Sequence, residues 1–259
     1  MDDETQRINK FLAAAGLGSR RSCEALVTDG RVSVNGEPAT SLATRVGIND
    51  RVSVDGRRVY PARSTVLILL NKPQRYLTAN RDDSDRDLAI DLVRPLYGGH
   101  IFPIGRLDFL SSGLLIYTND GDLAERLLHP RYQVEREYLV ETGQPIPEEI
   151  LQRFTEGVTV EGERYAAKEY QVLSGRRVRL VLSEGKNREI RRVLQSFKVK
   201  IKRVHRTRYG PISLGKLGPG QARPLSIAEV TALYKSVALP LPTLHGSHSK
   251  RGGAHGSRN

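Results

Sequence analysis

The sequence predicts an α+β protein in two units, and three observations carry that expectation. Its 259 residues suffice for about two domains, each able to bury a core. Strand-like runs recur along the chain and are joined mostly by short turns instead of regular crossover helices, which favours a mixed, largely antiparallel sheet. Tyr60-Pro61-Ala62-Arg63-Ser64 breaks the pattern between a small N-terminal unit, residues 5–60, and a larger one, residues 64–235. The Pro, Gly, His and Ser content of residues 238–259, with Lys250, Arg251 and Arg258, marks a disordered basic tail.

The first unit reads as two helices and two hairpins. Ile8, Phe11, Leu12 and Ala15 share one helical stripe while Arg7 and Lys10 point elsewhere, and Gly16 ends that helix. Ser19 to Thr28 forms a second, with Arg20 and Arg21 in its first turn and Gly30 just past its end. Cations at a helix start oppose the dipole preference, so they are kept there for an external anion. Val32-Ser33-Val34 with Asn35-Gly36, and Val52-Ser53-Val54 with Asp55-Gly56, are hairpin signals in two nearly repeated hexapeptides.

The second unit opens on Val66 to Leu70, a continuous apolar run of strand length that Asn71-Lys72-Pro73 should stop. Arg81 to Asp87 is a solvated loop, and Leu88 to Val93 a helical turn or two. Leu114 to Thr118 reads as a strand, and Asn119-Asp120-Gly121 as the cap of a helix from Asp122 to His129. A strand over Glu135 to Val140, a helix over Pro147 to Phe154, a strand over Val158 to Val160 and a hairpin of Gln171 to Leu173 with Val178 to Leu182 follow. Glu184 to Arg192 should open a helix reaching Phe197, before a basic strand from Lys198 to Arg208. From Lys186 to Arg208 ten Lys or Arg face one acid, Glu189, which suggests a phosphate-binding track.

Composition narrows the function classes. With 41 Lys+Arg against 29 Asp+Glu the chain carries +12, so its partner is a polyanion, nucleic acid first. No apolar run approaches the roughly 20 residues that span a bilayer, so no membrane is expected. The acidic start Met1-Asp2-Asp3-Glu4-Thr5 is the opposite of a secretory signal, which points to the cytoplasm. Cys23 stands alone, excluding an intrachain disulfide, and its spacing with Leu26 and Val27 makes it a buried small residue. His245 and His248 lack a third ligand, so no metal is expected. Gly210 to Lys216 has the spacing of a phosphate-binding loop. Leu217 stands where Ser or Thr would hold magnesium and Pro211 removes an amide, so it is a surface turn and no nucleotide cofactor is expected. The glycine-rich loop of a methyl-donor site is likewise missing.

Asp108 is the focus. It lies among Leu107, Phe109 and Leu110, just before the apolar strand, and a carboxylate there must be partnered or must serve the turn at Ser111-Ser112-Gly113. Phe102-Pro103-Ile104-Gly105-Arg106-Leu107-Asp108, Ser112-Gly113-Leu114-Leu115 and Thr118-Asn119-Asp120-Gly121 resemble the catalytic signature of bacterial ribosomal RNA pseudouridine synthases, of the branch with an N-terminal S4-type RNA-binding domain. The chain has Leu110-Ser111 where that branch commonly has Asp or Asn then Thr, and Gln74-Arg75 where it usually has Gly.

The resemblance implies a small S4-like domain ahead of a pseudouridine synthase domain, acting on a ribosomal RNA stem-loop, 23S ahead of 16S, as a monomer without cofactor. The alternative is a non-catalytic ribosomal RNA-binding or assembly protein. The reaction breaks the ribose bond to a uracil nitrogen, turns the base and rejoins it through carbon. By the likeness Asp108 is the essential carboxylate, Arg191 the cation that keeps it ionised, and Tyr138 the ring that holds the detached base. Whether Asp108 attacks ribose, attacks the ring or removes a ribose proton stays open. A guanidinium can pair bidentately with a carboxylate, and Tyr138 offers a stacking face or, equally, a core tyrosine. Arg106 would fill the gap left by the flipped nucleotide, clamp a phosphate, or form a structural ion pair. Arg7, Lys10, Ser19, Arg20, Arg21, Asn35, Lys186, Arg188 and Arg192 complete the RNA-facing set.

Overall fold

The computed structural model describes residues 5–62, 64–80, 82 and 84–242. Against the disordered tail expected from residue 238, residues 238–242 are described, with Leu239 packed on the core that holds Leu233 and Val237 and the Ala238 carbonyl accepting from Arg126. Residues 243–259 lie outside the described residues, as do Arg81 and Asp83 of the solvated loop.

Helices α1 (Ile8–Ala14) and α2 (Arg20–Thr28) pack Ile8, Leu12, Cys23 and Val27 onto Val32, Val46 and Val52, a small core of its own. Ser19 caps α2, its hydroxyl accepting from the Ser22 amide at 3.1 Å. The repeated hexapeptides become two hairpins, β1 (Val32–Val34) with β2 (Glu37–Pro38) and β3 (Val52–Val54) with β4 (Arg57–Arg58). Strand β1 then pairs antiparallel with β3, Val32 opposite Val54, making one four-stranded sheet from the doubled motif. Asn35 and Asp55 take the left-handed conformation their tight turns require.

The remainder wraps a nine-stranded sheet. Its main strands are β5 (Leu67–Lys72), β6 (Ser111–Thr118), β7 (Arg136–Thr142), β8 (Glu169–Ser174), β9 (Arg177–Leu182), β10 (Ile201–Tyr209) and β11 (Ala222–Pro224). They lie in the order β8-β9-β7-β10-β6-β5-β11, every neighbouring pair antiparallel except β10 with β6. The fold is therefore α+β on a mixed, largely antiparallel sheet. Strand alternation divides the core in two. Ile68, Leu70 and Leu115 face α4 (Glu148–Glu156) and α5 (Glu189–Ser196), whereas Leu67, Leu69 and Leu114 face α3 (Gly121–Leu128) and α6 (Ile227–Ser236). That two-sided burial is why the run at 66–70 is apolar without a break.

Three local expectations are corrected. Strand β5 does not stop at Leu70: it runs through Asn71 and Lys72, both buried, because carbonyl groups receive the lysine. The helix expected from Glu184 starts at Glu189, since Arg188 takes a left-handed φ of 51° and turns the chain just before it. The run from Lys186 to Arg208 is no single track. Arg191 and Arg206 are buried, and Lys186, Arg192 and Arg208 pair with glutamates. The sequence reading also passed over α6, whose Ser226 and Glu229 form a capping box, and the pairing of Val158–Val160 with Glu163–Tyr165. No helix among the described residues is long and apolar enough to cross a membrane.

Candidate active site

The register of the sheet builds the floor of the site. Tyr138 on β7 stands opposite Arg206 on β10, Arg206 opposite Gly113 on β6, and Gly113 opposite Lys72 on β5. One row across four strands thus carries a ring and two cations around a glycine. Gly113 is obligatory there. Its φ is 107°, and a Cβ at that position would sit 2.2 Å from the Arg206 carbonyl oxygen. With no side chain in the way, β6 and β10 close up and Arg206 Nε donates to the Leu114 carbonyl at 2.7 Å.

Lys72 ties the Asp108 loop to this floor. It is fully buried, and its Nζ donates to the carbonyls of Pro73 at 2.9 Å, Ser111 at 2.9 Å and Asp108 at 3.3 Å. Burial pulls its pKa down to about 8, with Asp108 pulling the other way and Arg206 adding to the depression. The Thr78 hydroxyl donates to the Leu107 carbonyl at 3.0 Å, and the Arg75 amide to that of Phe109 at 2.6 Å. The loop is thereby fixed from both sides without using its carboxylate.

Asp108, Tyr138 and Arg191 line one cavity of about 110 Å³, together with Arg106, Arg136, Lys186, Arg188, Glu189 and Arg206. Arg191, in the first turn of α5, is buried, with Nη2 donating to the Leu110 carbonyl at 2.9 Å. Its Nε lies 3.8 Å from Asp108 Oδ2. The pairing is thus a single long contact and not a bidentate fork, because Nη2 is already spent on the loop backbone. Burial lowers the Arg191 pKa, with Asp108 pulling the other way and Arg188 adding to the depression; a guanidinium is charged in proteins all the same. Asp108 itself is 38 % exposed, the most open of the three and free to meet a substrate.

The RNA-facing candidates divide. Arg7, Arg20, Arg21, Arg106 and Arg188 are exposed. Lys10 reaches across to Asp122 at 2.5 Å, Lys186 pairs with Glu184 at 3.0 Å, and Arg192 with Glu161 at 3.1 Å. Ser19 is occupied as a cap, and Asn35 ties its turn to Asp50 and the Arg51 amide. Lys72, Glu189, Arg136 and Arg206 were missed. The available signals were a lysine at the end of an apolar run and, for Arg206, its place on an alternating strand. Both read as surface charge by composition.

A family model described as RNA pseudouridylate synthase matches residues 66–196, and one described as S4 domain matches residues 6–52. An uncharacterized RNA pseudouridine synthase of Borreliella burgdorferi is 42% identical over 231 residues, covering 88% of this chain and 92% of that protein. The ribosomal large subunit pseudouridine synthase B of Bacillus subtilis is 34% identical over 234 residues, covering 88% and 95%. A pseudouridylate synthase crystal structure superposes with a TM-score of 0.64 at 27% identity, over 88% of this chain and 99% of the other. The cavity that gathers Asp108, Tyr138 and Arg191 therefore lies in a chain that belongs to the RNA pseudouridylate synthase family and carries an S4 domain ahead of the catalytic fold.

Proposed function

We propose that this protein isomerises a uridine of large-subunit ribosomal RNA to pseudouridine, with Asp108 as the essential carboxylate. The observation that carries the assignment of roles is the shared cavity, where Asp108 has the buried Arg191 guanidinium on one side and lies within reach of a space walled by the Tyr138 ring. Arg191 sets its positive charge beside the Asp108 carboxylate, and Tyr138 retains the uracil once its bond to ribose is broken. The target is flipped out of its stack to reach this floor, and exposed Arg106 at the rim fills the gap it leaves or clamps the neighbouring phosphate. Arg7, Arg20 and Arg21 hold the stem-loop by its phosphates. The isomerisation is redox-neutral and transfers nothing from a donor, so the reading calls on no cofactor. The large-subunit assignment is supported by the B. subtilis relative's name. We place the enzyme in the cytoplasm as a monomer.

The test is direct. Purified protein is incubated with unmodified large-subunit and small-subunit ribosomal RNA transcripts, and pseudouridines are mapped. One new site in the large-subunit RNA is the expected result. A new site only in the small-subunit RNA overturns the target, and binding without any new pseudouridine returns the protein to a non-catalytic assembly role.

A further inference from the structure

Among the described residues six buried side-chain polar atoms have no hydrogen-bond partner, and three of them, Glu189 Oε2, Arg206 Nη2 and Arg191 Nε, belong to residues lining the Asp108 cavity. Arg191 Nε has Asp108 Oδ2 at 3.8 Å to answer it. The other two atoms have no hydrogen-bond partner, although the Arg206 guanidinium lies 5.2 Å over the Tyr209 ring and the Lys186 amide serves the Glu189 carboxylate. Glu189 is only 4 % exposed and Arg206 only 2 %. Leaving an acceptor and a donor dry and unpaired is costly, and a site that tolerates it is built for a ligand that brings the complement.

We propose that Glu189 and Arg206 read the imide edge of the target base, Glu189 accepting from uracil N3–H and Arg206 donating to a ring carbonyl. The inference rests on the pseudouridine synthase reading above. Uracil presents carbonyl, N–H, carbonyl along that edge, whereas cytosine presents carbonyl, a bare nitrogen lone pair and an amino group. A carboxylate facing N3 attracts the first base and repels the second. The same pair suits the reaction itself. Exchanging N1 for C5 at the ribose amounts to a half-turn of the detached ring about the axis through N3 and C6. N3 stays on that axis while the two carbonyls trade places. Glu189 keeps its hydrogen bond throughout, and Arg206 meets one carbonyl before the turn and the other after it. Tyr138 stands directly across from Arg206 in the sheet, so the stacking ring and the carbonyl donor are neighbours by register.

The carboxylate must be ionised to accept strongly. Burial pushes the Glu189 pKa up to about 7, the Lys186 amide and ammonium pull it down, Glu184 pushes it up again and Arg136 pulls it down. Asp108, Arg191 and Arg206 share the cavity. The proton lost on the way to the accepting form makes turnover rise with pH through about 7.

The experiment compares the full-length protein with Glu189→Gln, which keeps the shape and removes the charge, on the RNA found to be its substrate. The expected result is a kcat/KM about tenfold lower at pH 8, the size of one charge-assisted hydrogen bond. A pH profile flattened around 7 and an unchanged thermal midpoint should accompany it. RNA with cytidine at the target position should compete poorly against wild type and better against the variant. Arg206→Lys, which retains a cation for the Leu114 carbonyl, should show the same loss of discrimination. An unaltered profile and unaltered discrimination overturn the proposal, as does a loss that comes with a lowered midpoint and the wild-type pH profile. If wild type itself makes no pseudouridine, the activity is what has failed, and the base-reading role falls with it.

Discussion

The S4 domain and the Asp108 cavity both collect cations and treat them in opposite ways. Arg7, Arg20 and Arg21 stand exposed on or beside two short helices, over a core of Ile8, Leu12, Cys23 and Val27 that owes them nothing. Lys72, Arg136, Arg191 and Arg206 are buried, and each donates to backbone carbonyls: Pro73, Asp108 and Ser111 for the lysine, Leu127 and Ser183 for Arg136, Leu110 for Arg191, Leu114 for Arg206. An exposed guanidinium contributes what its partner brings and is screened beyond about 8 Å at physiological salt. A cation seated among carbonyls fixes the geometry of a loop whatever the salt. On the proposed reading the first arrangement holds an RNA and the second positions chemistry, so substitutions in the two regions should fail differently.

The largest effect is expected inside the cavity with the smallest change of shape. Asp108→Asn should lower pseudouridine formation by about a thousandfold or more, the scale of losing an essential charged group. Because the loop is held through backbone groups and not through its carboxylate, thermal stability and RNA affinity should stay at wild-type values. Product formation, a melting curve and a filter-binding titration check all three. Normal turnover would remove Asp108 from the chemistry and dissolve the contrast between the two regions.

Gly113→Ala should act on the fold. Its Cβ would meet the Arg206 backbone at 2.2 Å, and φ of 107° is unsuited to alanine, so β6 and β10 must separate. A loss of about 3 kcal/mol or more follows from overpacking combined with backbone strain. Chemical denaturation measures it. A neutral result would mean the row of Tyr138, Arg206, Gly113 and Lys72 is not what holds the floor together.

Lys72→Met should cost about 2–3 kcal/mol at pH 7, because three carbonyls lose their donor. The wild-type cost of burying the ammonium gives this residue a signature in pH. Its pKa is lowered by burial to about 8, below the unfolded value, so between about 8 and the ordinary lysine range the unfolded chain binds the extra proton. Stability then rises with pH across that window in wild type relative to the variant, and is flat relative to it below about 8. Urea midpoints for both proteins at a series of pH values test the sign. Parallel curves would mean Lys72 is not the buried cation the loop depends on.

These residues also mark what could be read in the chain beforehand. Asp108, Tyr138 and Arg191 were singled out by the resemblance to the family and not by local pattern alone, and the fold brings all three to one cavity; their roles are the proposal made above. The doubled hairpin was legible because Asn-Gly and Asp-Gly favour their turns locally. Lys72 and Arg206 were not, since a charged side chain reads as solvent-facing until a register places it inside, and register belongs to strands far apart in sequence. Glu189 was not because it is buried where the left-handed turn at Arg188 starts α5. The basic run from Lys186 to Arg208 misled for the same reason: a left-handed residue at Arg188 and an interior strand send consecutive cations to different places.

The smallest effect on chemistry should come from the S4 domain. Arg20 and Arg21 begin α2, beside the Ser19 cap, exposed and without an ion pair among the described residues. Removing both charges, Arg20→Ala with Arg21→Ala, leaves the core of the domain untouched and should change stability by no more than about 0.5 kcal/mol. If both guanidinium groups neutralise phosphates, RNA affinity should fall and the slope of log affinity against log salt should become shallower by about 1.4–1.8, two counterions' worth. Turnover at saturating RNA should be unchanged, since neither residue lines the cavity. An unchanged salt slope would take α2 off the RNA and leave Arg7, Arg106 and Arg188 to carry the grip. A fall in turnover at saturation would show instead that the two regions do not divide binding from chemistry as their burial implies.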